Sequence, residues 1–140
     1  MIISRLRQMK IFFLQKYNPK NDITVKEVLT KEEFYYFDKM GNYDKIHSFN
    51  LFLKVKKNLL LKDDISYLKL ALLHDSSKEH ASFWERTKQV VIKKSKISNH
   101  SQKAYENFKD INPTVAELCK IHHEKSSDEK MIEFQKLDNH

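Results

Sequence analysis

Glycine occurs once and proline twice in 140 residues. Turn-rich β proteins draw on both residues at their hairpins and corners, so this scarcity argues for long helices joined by short connections. Cysteine is nearly absent too: Cys119 stands alone, which excludes an intramolecular disulfide, and nothing in the pattern suggests secretion. No long hydrophobic run occurs. The longest, Ile11-Phe12-Phe13-Leu14 and Leu70 to Leu73, span a few residues, against the roughly 20 that a membrane-crossing helix needs. Near the N-terminus basic residues precede an apolar stretch too short for a signal peptide. The expected location is the cytoplasm. Arginine is the last scarcity, with only Arg5, Arg7 and Arg86 among 26 basic residues. Nucleic-acid surfaces usually combine arginine clusters with aromatic stacking platforms. The net charge of +7 and pI of about 9.4 therefore favour a small anionic ligand over nucleic acid.

At 16.8 kDa the chain fits one domain with one core. Ile3 to Tyr17 reads as an amphipathic accessory helix, broken by Asn18-Pro19-Lys20-Asn21-Asp22, so residues 1–22 are set apart from a core domain over 30–140. Thr30 and Glu33 have capping-box spacing and open a helix through Phe34, Phe37 and Met40. Tyr43 to Leu60 reads as a long helix with Ile46, Phe49, Asn50, Leu53 and Lys57 near its 3.6-residue period and His47 on the same broad stripe. Asp63 or Asp64 caps a helix with Ile65, Leu68, Leu72 and Leu73 as its apolar positions; Ser76 to Lys96 is helical with indistinct ends. Ser98 caps a helix carrying His100, Ala104 and Phe108. Asn112-Pro113 starts the next, and Ser126 with Glu129 marks the last, which carries Met131, Phe134, Leu137 and Asp138. The expected fold class is all-α, a bundle of six or seven helices.

What the chain does have is a series of imidazoles and carboxylates: His47, His74-Asp75, His100, His122-His123 and Asp138. Imidazole with carboxylate is the donor mixture that holds divalent Fe, Mn, Co or Zn. A set this large suits two ions, and two ions suit phosphoester chemistry. Successive members lie 27, 26, 22 and 15 residues apart, so a site can form only by tertiary packing. His122 and His123 point about 100° apart on a helix, and both ligate only if the helix end aims between them. Each histidine taken singly reads as an ordinary surface or core residue, as His80 and His140 do. Phe83, Trp84 and Tyr105 read as core, and Lys88, Lys93, Lys94 and Lys96 as a solvated basic face.

The ordered series carries a resemblance. Tyr43-Asp44-Lys45-Ile46-His47-Ser48, then Ala71-Leu72-Leu73-His74-Asp75-Ser76-Ser77-Lys78, is similar to the signature of the HD-domain metal-dependent phosphohydrolase superfamily. His100 with Ala104, Ile121-His122-His123-Glu124 and Leu137-Asp138 resemble its six-ligand, dinuclear branch. The resemblance covers roughly residues 30 to 140. It implies an HD-type bundle with one ion on His47, His74, Asp75 and Asp138, and a second on His100, His122 and His123, bridged by Asp75. It further implies hydrolysis of a nucleotide or other phosphoester by a metal-bound hydroxide, with Asp75 central, Lys78 binding phosphate as a point charge, and Asp44 orienting His47. Iron or manganese is the expected metal pair; zinc, cobalt, nickel and magnesium stay open. Two departures matter. Ser76-Ser77 replace the usual aliphatic residue and glycine, and no Gly-Tyr-Pro follows His123, which disfavours a cyclic dinucleotide substrate. The alternative is an inactive HD scaffold that senses a nucleotide or RNA. Oligomeric state stays open.

Overall fold

A computed structural model of the chain describes residues 16–77 and 97–139, with side chains from residue 101 onward in the second stretch. The described residues form seven helices and no strand: α1 Asn21–Val28, α2 Lys31–Asp38, α3 Asn42–Lys57, α4 Ile65–Leu73, α5 Ile97–Phe108, α6 Pro113–Ile121 and α7 Glu129–Asp138. The chain is an all-α bundle, as its composition leads one to expect.

Local chemistry explains most helix starts. At α2 the capping box is complete: the Thr30 hydroxyl accepts from the Glu33 amide at 3.2 Å, and Glu33 Oε1 accepts from the Thr30 amide at 2.8 Å. Asp64 caps α4 through the Ser66 amide at 3.0 Å, and Asn112 caps α6 through Val115 at 3.2 Å with Pro113 in the first turn. Two expected caps move. Asp128, not Ser126, caps α7 by accepting from the Met131 amide at 3.0 Å, while Ser126 Oγ accepts from the Asp128 amide at 3.0 Å. Ser98 lies inside α5, which already begins at Ile97.

Helix α4 is the centre of the bundle, packing against α1, α2, α3 and α6. Tyr67, Leu70, Ala71, Leu72 and Leu73 are all buried, and each leucine contributes about 2 kcal/mol by leaving water. Three further expectations are corrected. Tyr17 lies outside any helix and is buried against Phe37 and Phe49. On α3 the buried positions are Asp44, Ser48, Phe49, Leu51, Phe52 and Val55, while Asn50, Leu53 and Lys57 are exposed. The helix turns its aromatic residues inward because both α4 and α7 pack on it. Ile65, at the first turn of α4, is half exposed.

The expected helix over Ile3 to Tyr17 falls almost wholly outside the described residues, as do Lys78, His80, Phe83, Trp84, the lysines from Lys88 to Lys96 and His140. Of the expected Ser76–Lys96 helix, Ser76 and Ser77 belong instead to a turn that follows α4.

Candidate metal centre

Three helices end at one place. His74 is the C-cap of α4, His122 the C-cap of α6, and Asp138 the last residue of α7. α3 passes this place near its start, carrying His47. Helix C-termini expose unpaired carbonyls worth about half a negative charge each. Their convergence makes a spot that favours a cation before any side chain is counted.

One ring nitrogen each of His47 and His74 and one carboxylate oxygen of Asp75 all lie within 4.8 Å of one another. Asp138 Oδ1 joins them, 3.3 Å from His47 Nε2 and 3.4 Å from His74 Nε2. Asp75 Oδ2 is 3.2 Å from His74 Nε2 and 4.0 Å from His47 Nε2. His74 and Asp75 are buried, Asp138 is 14% exposed and His47 34% exposed, so the cluster meets solvent on the His47 side. Tyr43, one turn earlier on α3, stacks parallel to the His47 ring with centroids 6.3 Å apart. Phe134 closes the inner wall, edge-on to His74.

Backbone hydrogen bonds set the orientation of two imidazoles. His74 Nδ1 donates to the Ala71 carbonyl at 3.0 Å, and His122 Nδ1 donates to the Cys119 carbonyl at 2.6 Å. A carbonyl can only accept, so Nδ1 carries the proton in both rings, and His74 turns its Nε2 toward the cluster. This is how metal-ligating histidines are usually held. At His74 the consequence is sharp. Its Nε2 approaches two carboxylate oxygens, yet among the described residues neither approach has the alignment of a hydrogen bond. A bare lone pair facing two carboxylates is repulsive. Only a proton or a cation between them makes the arrangement stable.

The charges agree. Burial alone would lower the His74 pKa, but the Asp75 and Asp138 carboxylates outweigh it and push it up to about 10. Burial would raise Asp138, but His47 and His74 hold it well below the usual carboxylate range. His122 goes the other way: burial first, then the neighbouring His74 and His123, bring it down to about 3. With its proton on Nδ1 it is a neutral imidazole near neutral pH, the form that binds a metal. Its ring lies edge-on to His74, centroids 5.4 Å apart.

The expected residues are thus distributed as follows. His47, His74, Asp75 and Asp138 meet in one cluster, and the donor set fits a divalent ion. His122 is buried beside it. His123 is exposed, its ring centroid 3.9 Å from that of His122. His100 is on α5, but its side chain and all of Lys78 lie outside the described residues. Asp44 is buried in the first turn of α3. Ser76, at the position where the HD pattern has an aliphatic residue, donates its hydroxyl to the Leu73 carbonyl at 2.7 Å, beside its own amide, which reaches the same oxygen at 3.0 Å.

One contributor escaped the sequence. Gln135 Nε2 donates to the His122 carbonyl at 3.0 Å and the Glu124 carbonyl at 2.7 Å, tying the end of α6 to the helix that bears Asp138. Its position three residues before Asp138 is the only sequence signal, and it is not specific. Two clefts, of about 380 Å³ beside Tyr17 and Phe49 and about 440 Å³ beside Tyr35 and Ile111, include none of the cluster residues; the donor geometry, not cavity size, identifies this site. No family model, curated protein or solved structure matches the chain.

Proposed function

We propose that the cluster binds divalent metal, and that the chain is an HD-type metal-dependent phosphohydrolase acting on a nucleotide or other phosphoester. The observation that carries the reading is the approach of His74 Nε2 to Asp75 and Asp138 without hydrogen-bond alignment, at a point where three helix C-termini meet. His47, His74, Asp75 and Asp138 hold one ion. His100, His122 and His123 would hold the second, as the resemblance implies, with Asp75 as a ligand common to both. Iron or manganese is the proposed pair, from the mixed imidazole and carboxylate donors.

A divalent ion supplies Lewis acidity there, toward a water and toward the phosphoryl oxygens of the substrate. The chain supplies the rest. The Ala71 and Cys119 carbonyls fix the tautomers and aim the two inner rings. Asp75 and Asp138 bring negative charge to a spot largely closed to water, where electrostatic attraction is least screened. The exposed edge at His47 is the side from which a substrate enters. The net charge of +7 favours the arrival of a phosphate-bearing molecule.

The test is to purify the protein without chelator, count metal ions per chain, and screen p-nitrophenyl phosphoesters and nucleotides with added Mn or Fe. Bound metal with turnover, both abolished by Asp75→Ala, is the expected result. Bound metal without turnover points to the sensor scaffold instead. A chain that takes up no metal overturns the reading.

A further inference from the structure

The turn between α3 and α4 has a feature that the metal cluster does not use. Leu59 is 87% exposed and Leu60 is 38% exposed, at the tip of a connection running from Asn58 to Asp64. This turn is firmly built. Asn58 Oδ1 accepts from the amides of Leu60 at 2.9 Å and Leu61 at 3.1 Å, and Asn58 Nδ2 donates to Glu133 Oε2 at 2.8 Å. The Lys62 amide returns to the Asn58 carbonyl at 2.9 Å. Leu61 is fully buried and anchors the middle of the turn, and Lys130 on α7 reaches Asp64 at 2.8 Å. Leu59 is therefore held out into water by a rigid frame.

Exposed lysines surround that tip in sequence. Lys54, Lys56 and Lys57 occupy the last turn of α3, and Lys62 follows the leucines. Of the acidic groups at this end, Asp64 is matched by Lys130, Glu133 is engaged by Asn58 and Asp128 accepts from Tyr67 and Met131, while Asp63 and Glu129 are exposed, against the four lysines. Lysines at a helix C-terminus also complement its dipole, but that leaves the projecting leucine unexplained.

We propose that this turn docks the protein on an anionic lipid bilayer. Leu59 and Leu60 enter the interface, and Lys54, Lys56, Lys57 and Lys62 meet the phosphate headgroups. Charge and apolarity together select this occupant. A nucleic acid would match the lysines but give Leu59 no apolar surroundings. A second copy packed tip to tip would set the lysines against one another. The tip is at the end of α3 opposite His47, ten residues and roughly 15 Å along the helix, so a docked molecule keeps the cluster open to water. With no acyl anchor in the proposal, binding is weak and reversible.

Flotation of the full chain tests this, using vesicles of phosphatidylcholine alone and of phosphatidylcholine mixed with phosphatidylglycerol. Retention is expected on the mixed vesicles only, falling with salt. Because Leu59 is exposed, Leu59→Ser leaves the fold intact and is expected to weaken partitioning about ten-fold. Lys56→Gln with Lys57→Gln is expected to weaken it about 25-fold, near five-fold per charge. Equal retention on both vesicle types, or no effect of Leu59→Ser, overturns the proposal. So does a concentration-dependent dimer in lipid-free buffer that Leu59→Ser dissolves, or RNA binding that depends on the lysines with no vesicle binding.

Discussion

His74 and His122 finish their helices in the same way, each ring donating Nδ1–H to the carbonyl three residues back. A helix that stops on a histidine uses the ring to cover one of its own unpaired carbonyls. The same bond fixes the nitrogen left over. Because α4 and α6 pack together, the two caps meet with ring centroids 5.4 Å apart. Structure and ligand geometry thus come from one interaction. Replacing His74 by Ala removes a donor and leaves Asp75 and Asp138 without their shared partner. The expected outcome is a loss of metal affinity of at least about 100-fold, beyond the 10–100-fold usual for losing an outer hydrogen bond, measured by titration with Mn²⁺.

Proton release follows from the same cluster. In the metal-free protein His74 holds its proton to about pH 10, so at pH 7 an ion must displace it. Calorimetry in buffers of different ionisation enthalpy is expected to show about one proton released as the ion at His74 binds, with affinity rising as pH rises. For the metal-free fold the sign is opposite: the raised pKa contributes stability fully present below the ordinary value near 6.5, and lost as pH climbs toward 10. Metal uptake without proton release contradicts this picture.

The start of α7 offers a stability test. Asp128 accepts from the Met131 amide at 3.0 Å and from the Tyr67 hydroxyl at 3.2 Å. Asp128→Ala removes the cap and leaves the buried Tyr67 hydroxyl without this acceptor, an expected cost of about 2 kcal/mol. Ser126→Ala, at the position the sequence pattern favours, is expected to cost under about 0.5 kcal/mol. Chemical denaturation of both variants distinguishes the two caps.

Glu33 is a buried carboxylate that joins three helices, with Thr30, Lys69 on α4 and Asn112 before α6 all bound to it. Burial would raise its pKa, but the Thr30 amide, Asn112 and Lys69 together lower it. Its contribution to stability is present above the ordinary value of 4.5 and lost as pH falls through the lowered folded value. Glu33→Gln is expected to cost about 2 kcal/mol at pH 7 and to flatten the acid limb of a stability profile. An unchanged acid limb contradicts this role.

Sequence and structure meet where the signal is local. Thr30 with Glu33, Asp64 before Ile65, and Asn112-Pro113 are read within four residues, and each forms its expected cap. The meeting of His47, His74, Asp75 and Asp138 was readable from their order, though not from their spacing. Other features were hidden for physical reasons. Helix α1 is short, follows Lys20, which gives it no side-chain cap, and buries only Val25, so it carries almost no periodic signal. The buried face of α3 is chosen by α4 and α7, which a single-helix pattern cannot anticipate. The Nδ1 bonds of His74 and His122 depend on where α4 and α6 stop, and Gln135 matters only because α7 lies beside the end of α6.

An anomalous-scattering map from crystals grown with Mn²⁺ tests the central claim most directly. The account predicts one peak within bonding distance of His47 Nε2, His74 Nε2, Asp75 and Asp138, and a second beside His122. A map with no peak among those four residues, from crystals whose solution contains ample manganese, contradicts it.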